Sequence, residues 1–143
     1  MIPYKNHGRR HAPNGSDPVS FNPIYPIKVG ADDDVLATGD GQFIFVITAL
    51  EELDGLRLTR AAAYVTTVSS SGLPTVQLRK VGVGDMLTTK LTIDASDFST
   101  DTAATPAVID ATYSLITTGD RIAIDVDVAG TGAKGLGVVL RFG

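Results

Sequence analysis

The strictest pattern in this sequence is an alternation of apolar and polar residues directly after Gly119-Asp120. Its eight residues form two sets, Ile122, Ile124, Val126 and Val128 on one side and Arg121, Ala123, Asp125 and Asp127 on the other. A period of two residues sends successive side chains to opposite faces of a sheet. The pattern therefore predicts a β-strand with one buried and one solvated face, which needs a second layer to cover the buried face.

Further strand patterns occupy most of the chain after residue 30. They cover residues 43–48, 56–68 with a bulge or bend at Arg60-Ala61-Ala62, 74–81, 90–94 and 136–142. A single helical turn is expected at residues 106–111, with Thr105 as its cap and Pro106 at its first position. Seven or eight short strands with almost no helix predict an all-β fold, an antiparallel β-sandwich or jelly roll.

Proline divides the chain into two parts. Five of the seven prolines lie in the first 30 residues. Proline fixes φ and pushes the residue before it toward an extended conformation. We therefore expect residues 1–30 to form an extended arm and residues 31–143 to form the β-sandwich body.

The two parts also differ in charge. Residues 1–30 carry four basic and one acidic side chain (+3), whereas residues 31–143 carry eight basic and fifteen acidic ones (−7). An acidic body argues against nucleic acid as the main partner, and a basic arm suits an acidic docking surface. We predict that a partner is contacted by arm residues Tyr4, Lys5, Arg9, Arg10, His11, Asp17, Phe21, Ile24 and Tyr25.

The residue types needed for catalysis are scarce. The chain has no cysteine, and both of its histidines, His7 and His11, fall in the arm, where a nucleophile and its base would lack a rigid scaffold. Asp125 and Asp127 share one strand face and form the remaining acid/base pair, but a charged outer face explains them as well. We predict a protein that is not an enzyme and has no cofactor.

Three other features bear on ligands. His7 and His11 are four residues apart but not in a helix, so a metal site would need one histidine from each of three copies. The adjacent carboxylates Asp32, Asp33 and Asp34 offer only part of a calcium shell, and a solvated turn is expected. Residues 130–135 are glycine-rich but lack the spacing and helix of a phosphate loop, and are predicted to form a hairpin turn.

Two stretches resemble known proteins. His11-Ala12-Pro13-Asn14-Gly15-Ser16-Asp17-Pro18 is similar to a His-x-x-Gly-Gly-Ser/Ala-Asp-Pro segment of tailed-bacteriophage tail-fibre and virion-surface proteins, with Asn14 in place of the first glycine. Residues 118–142 resemble the closing hairpin of small phage structural β-domains, and more distantly the trimeric jelly rolls of the complement and tumour-necrosis-factor type. The resemblance implies a virion-surface homotrimer with a jelly-roll body and carries no catalytic residue.

These observations lead to one expected function and one alternative. The expected function is a capsid decoration (cement) protein that attaches to the major capsid protein, or another virion protein, through the arm and stabilises the head. The alternative is a short tail or head fibre, or an adhesin module, that binds the host surface. No apolar stretch approaches the roughly 20 residues of a membrane span, so we expect no membrane partner and a location on the virion surface after synthesis in the host cytoplasm.

Overall fold

The computed structural model describes residues 21–143, whose regular structure is almost entirely β-strand. Two short 3₁₀ helices lie at Ala49–Glu51 and Thr100–Thr102. The strands are β1 (Ile24–Lys28), β2 (Gly39–Val46), β3 (Leu58–Tyr64), β4 (Thr75–Lys80), β5 (Gly84–Asp85), β6 (Leu87–Thr89), β7 (Leu91–Thr92), β8 (Val108–Ile109), β9 (Arg121–Val128) and β10 (Gly137–Phe142).

Two antiparallel sheets face each other. The first sheet has the order β1-β10-β3, and the second has the order β2-β9-β4, with β5 and β7 along the outer edge of β4. Strands β6 and β8 form a small third pair. Strands β1 to β4 alternate between the sheets, while the first strand pairs with the last and β2 pairs with β9, which is the winding of a jelly roll. The predicted all-β antiparallel sandwich is confirmed.

The core lies between the inner faces of the two sheets, where the alternation predicted it. Ile122, Ile124 and Val126 of β9 are buried, as are the four residues predicted to share one face of the last strand region, Leu136, Val138, Leu140 and Phe142. Each strand therefore contributes every second side chain to one shared core. The prediction is wrong at the end of β9, because Val128 is 43% exposed.

The prediction is also wrong at the centre of β9, where the outer face is not solvated. Ala123 is fully buried and Asp125 is only 4% exposed. Arg79 of β4 reaches across to Asp125 from one side, and the Gly41 N–H of the irregular β2 segment reaches it from the other. Neighbouring strands therefore cover a carboxylate that the sequence pattern assigned to solvent.

Residues 106–111 do not form the predicted helical turn. Val108–Ile109 form β8 and pair with β6, where Ile109 lies opposite Leu87 and packs against the core. β-Branched residues favour a pleated, half-buried surface, and this tertiary contact outweighs the local Thr105-Pro106 signal. The bulge in β3 was expected at Arg60-Ala61-Ala62. It lies at Thr59, directly before that position, where the β10–β3 register shifts.

The division at residue 30 is corrected by β1, because residues 24–28 pair with β10 and belong to the sandwich. The Tyr25 ring packs edge-to-face on Phe142 with 5.9 Å between ring centroids. Val29 N–H donates to Leu136 O, directly before β10, and Phe142 N–H of β10 donates to Pro23 O, so the backbone N–H and C=O groups of the odd-numbered residues face β10. Pro26, which has no N–H, therefore faces the open edge, the position in a sheet where proline is tolerated.

The glycine-rich segment 130–135 is not a hairpin turn, because β9 and β10 belong to different sheets. It crosses the end of the sandwich and is held by Gly135 N–H on Asp34 O and by Lys134 N–H on Thr67 O. Gly135 has φ +70°, and a Cβ there would meet Thr66 and lie 2.7 Å from the Asp32 carbonyl oxygen. The glycine is required by this close approach and not by a phosphate ligand.

Candidate functional site

Six of the predicted docking residues, Tyr4, Lys5, Arg9, Arg10, His11 and Asp17, lie outside the described residues, as does His7. The other three lie at the start of the sandwich. Phe21 and Ile24 are 51% and 52% exposed. Tyr25 is half-buried against Phe142 of its own chain and therefore serves the core. Phe21 and Ile24 are therefore the predicted docking residues that remain exposed at the entry to β1, whereas Tyr25 does not.

Next to this entry lies the solvent-facing side of the first sheet, which we call the outer face. Its centre is apolar, because the strand register places Pro26, Val139 and Ala62 side by side, and Ile24 lies in the adjacent row. Cationic side chains bound it at both ends, Arg60 and Arg141 at one end and Lys28 at the other. The outer side of a sandwich sheet is ordinarily polar, so an apolar centre with cationic ends is a candidate binding surface.

Arg60 and Arg141 lie directly opposite each other on β3 and β10, and Ile24 flanks Arg141 on the other side. Both arginines are exposed. The ion pairs within residues 21–143 involve Lys28, Arg79, Lys80 and Lys90 and neither of these arginines. Both line a groove of about 310 Å³ with Thr100 and Asp101 on its wall.

The opposite end of the outer face is already occupied by contacts within the chain. Lys28 Nζ lies 2.7 Å from Asp32 Oδ1 and 5.4 Å from the centre of the Tyr64 ring. The hydrogen bond to Asp32 raises the pKa of Lys28. The Tyr64 ring covers Gly137, where any Cβ would collide with it. Lys28 is therefore already paired within the chain, which leaves the two arginines as the cations of this face without an acidic partner among the described residues.

The candidate acid/base pair does not form a shared site. Asp125 accepts hydrogen bonds from Arg79 Nε (2.7 Å) and Arg79 Nη2 (3.0 Å), and a third from Gly41 N–H (2.6 Å). Burial acts to raise the pKa of Asp125, but these hydrogen bonds outweigh it and lower the pKa. Asp127 instead pairs with Lys90, whose pKa this contact raises. Asp125 is therefore held ionised in a structural ion pair.

The acidic turn Asp32–Asp34 is used locally. Asp32 bonds Lys28, and Asp34 Oδ2 accepts from Ala31 N–H at 2.9 Å. No group of three or more His, Cys, Asp or Glu side chains that could hold a metal ion occurs between residues 21 and 143. The two hydrogen bonds point the carboxylates at different partners, as expected of a turn.

Sequence reasoning missed Arg60 and Arg141 as site residues. Each is a single charge within a strand pattern, which indicates only a solvated face. One available signal was the alternation of residues 136–142, which turns Arg141 away from the core. Nothing local shows that Arg141 lies opposite Arg60, because that contact joins residues 81 positions apart.

Comparison with known protein families, curated proteins and solved structures finds no match to this chain. Within the described part of the chain, no helix has the length and apolar character required to cross a membrane.

Proposed function

We propose that this chain is a non-enzymatic virion structural protein, a capsid decoration (cement) protein that attaches through its N-terminal segment and stabilises the head. The sequence resemblance supplies the biological context. The structural observation that supports it is β1, which joins the N-terminal segment to the sandwich by antiparallel pairing with β10. The major capsid protein is the proposed partner, and the assembled form is proposed to be a homotrimer on the virion surface.

The pairing of β1 explains how an attached segment transmits force to the body. Five residue pairs, Ile24↔Arg141 to Lys28↔Gly137, join the first strand to the central strand of its sheet. In the proposed attachment, this pairing carries any load on the N-terminal segment into the sandwich. Tyr25 on Phe142 adds a core contact at the same strand. An anchor built this way resists detachment without any separate domain.

The experiment uses particles and a truncation chosen from the structure. Deletion of residues 1–20 leaves β1 intact, whereas a deletion to residue 26 removes three of its five residues. We expect the chain without residues 1–20 to remain folded but to lose binding to purified capsids. Copy number in purified particles should reach the hundreds, in proportion to the major capsid protein. Retained capsid binding by the folded truncated chain contradicts this mechanism of attachment.

The alternative function, a host-binding fibre or adhesin module, is favoured by one loop. Leu50 is 91% exposed in the 3₁₀ helix Ala49–Glu51, although it is a large apolar residue. Thr48 and Glu51 form a capping box that fixes the backbone carrying this exposed side chain. Adsorption of the purified protein to host cells, lost on Leu50→Ser, together with a few copies per particle, favours this function over decoration.

A further inference from the structure

We propose that Arg60 and Arg141 form a recognition site for carboxylate side chains on an extended, partly apolar segment of a partner protein. The identity of that partner as the capsid rests on the proposed function. The chemistry of the site rests on the register, exposure and charge of the outer face alone.

The two arginines lie in an electrostatically unfavourable position. Residues directly opposite in an antiparallel pair have Cβ atoms about 5 Å apart, and like charges there destabilise the sheet. The body carries fifteen acidic side chains against eight basic ones, so carboxylates are not scarce. Four other cations in the described residues have acidic partners within 4.0 Å. A bound anion between Arg60 and Arg141 removes this repulsion.

The shape of the two guanidinium groups also suits a carboxylate. A guanidinium group presents its N–H donors in a planar fork that matches a carboxylate, so two adjacent guanidinium groups can hold one carboxylate or two neighbouring ones. The bulge beside Thr59 lies next to Arg60, and bulges re-aim neighbouring side chains. The apolar centre of Pro26, Val139 and Ala62 lies in the row next to the arginines and suits apolar side chains of the same segment.

The charge of the site favours a protein partner over nucleic acid. A nucleic-acid surface requires an extended basic patch, whereas this site has two accessible cations on an acidic body. Asp101 also lines the groove and opposes a densely charged polyanion. An extended segment that carries a carboxylate and an apolar side chain two residues apart presents both on one face and fits both parts of the outer face.

The test is an NMR titration of the full chain with a synthetic peptide in which glutamate and valine take turns at the odd positions and serine fills the even ones, so that both side chains share one face of the extended peptide. The same peptide with glutamine in place of glutamate is the uncharged control. We expect shifts at β3 and β10 with the glutamate peptide only. Arg60→Gln and Arg141→Gln should each weaken binding by about tenfold. Asp101→Asn should tighten it, because a repelling carboxylate is lost. Arg121→Gln, which removes an exposed arginine from the second sheet, is the matched control and should leave the affinity unchanged.

Unfolding curves of the arginine variants show whether a loss of binding comes from a loss of folding. Both arginines are exposed and opposed, so their substitution should not lower stability. Equal binding of the two peptides, unchanged binding by both arginine variants, or tighter binding of an oligonucleotide than of the glutamate peptide overturns the inference. The two proposals are separated if the arginine variants lose peptide binding but still attach fully to capsids. That result supports the carboxylate site and contradicts its use on the capsid.

Discussion

Replacement of Asp125 by asparagine removes a buried charge from the centre of β9 and nearly preserves the side-chain shape. The Asp125 side chain is 5% exposed and its partner Arg79 is 27% exposed. Removal of one member of a buried ion pair costs about 3–5 kcal/mol, because the other charge stays uncompensated. Water reaches part of Arg79, so we expect Asp125→Asn to lower the free energy of unfolding by about 2–3 kcal/mol.

Urea unfolding measures this change against a matched control in the same strand. Asp127 pairs with Lys90, and their side chains are 31% and 45% exposed. Asp127→Asn should therefore cost less than about 1 kcal/mol. With an m-value of about 2 kcal/mol/M, Asp125→Asn should lower the urea midpoint by about 1 M or slightly more. Equal midpoints for the two variants would refute the assignment of Asp125 as a buried structural charge.

The pH dependence gives a second measurement of the same pair. The pKa of Asp125 is lowered in the folded chain, so its stabilising effect is complete above the unfolded pKa of about 3.9 and is lost as pH falls through the folded pKa. We expect the stability difference between the wild-type chain and Asp125→Asn to be constant near neutral pH. The difference should shrink below about pH 4. A difference that grows on acidification contradicts the lowered pKa.

Three other substitutions or truncations test separate parts of the structure. Gly135→Ala should lower the free energy of unfolding by more than about 2 kcal/mol, because a Cβ there meets the Asp32 carbonyl. Gly132 also has a positive φ but open space around it, so the matched variant Gly132→Ala should cost only about 1 kcal/mol in urea unfolding. Gly137→Ala should displace the Tyr64 ring, visible as a change in tyrosine fluorescence or ring proton shifts, and an unchanged signal contradicts the packing. Removal of residues 1–26 should lower the melting temperature by several degrees relative to removal of residues 1–20, because only the longer deletion cuts into β1; equal melting temperatures contradict its role in the sheet.

Local patterns were sufficient to predict a strand where the apolar residues alternate with a period of two and one face of the strand is buried. The alternation of residues 121–128 and 136–142 predicted two strands and most of their core residues, since both strands face the same core. Residues 106–111 show the limit. Pro106 after Thr105 is a helix-start signal, yet pairing with Leu87 of β6 decides that Val108–Ile109 is a strand. Short segments take their structure from distant partners when their own propensity is weak.

The candidate binding surface could be predicted only in part. Exposed Phe21 and Ile24 were recognised from the apolar residues of the N-terminal segment. The outer face could not be, because it combines β1, β3 and β10, which are far apart in the chain. Strand order is not encoded in periodicity, so no pattern shows which charges become neighbours.

The sequence by itself determined the fold class, the position of most long strands and the separation of a basic N-terminal segment from an acidic remainder. These properties follow from local periodicity, proline content and counted charge. The tertiary structure decided where the sandwich begins, that Asp125 is a buried partner of Arg79, and that Arg60 and Arg141 lie side by side. Each of these results depends on register between strands many residues apart, which is selected by how the two sheets bury their shared core.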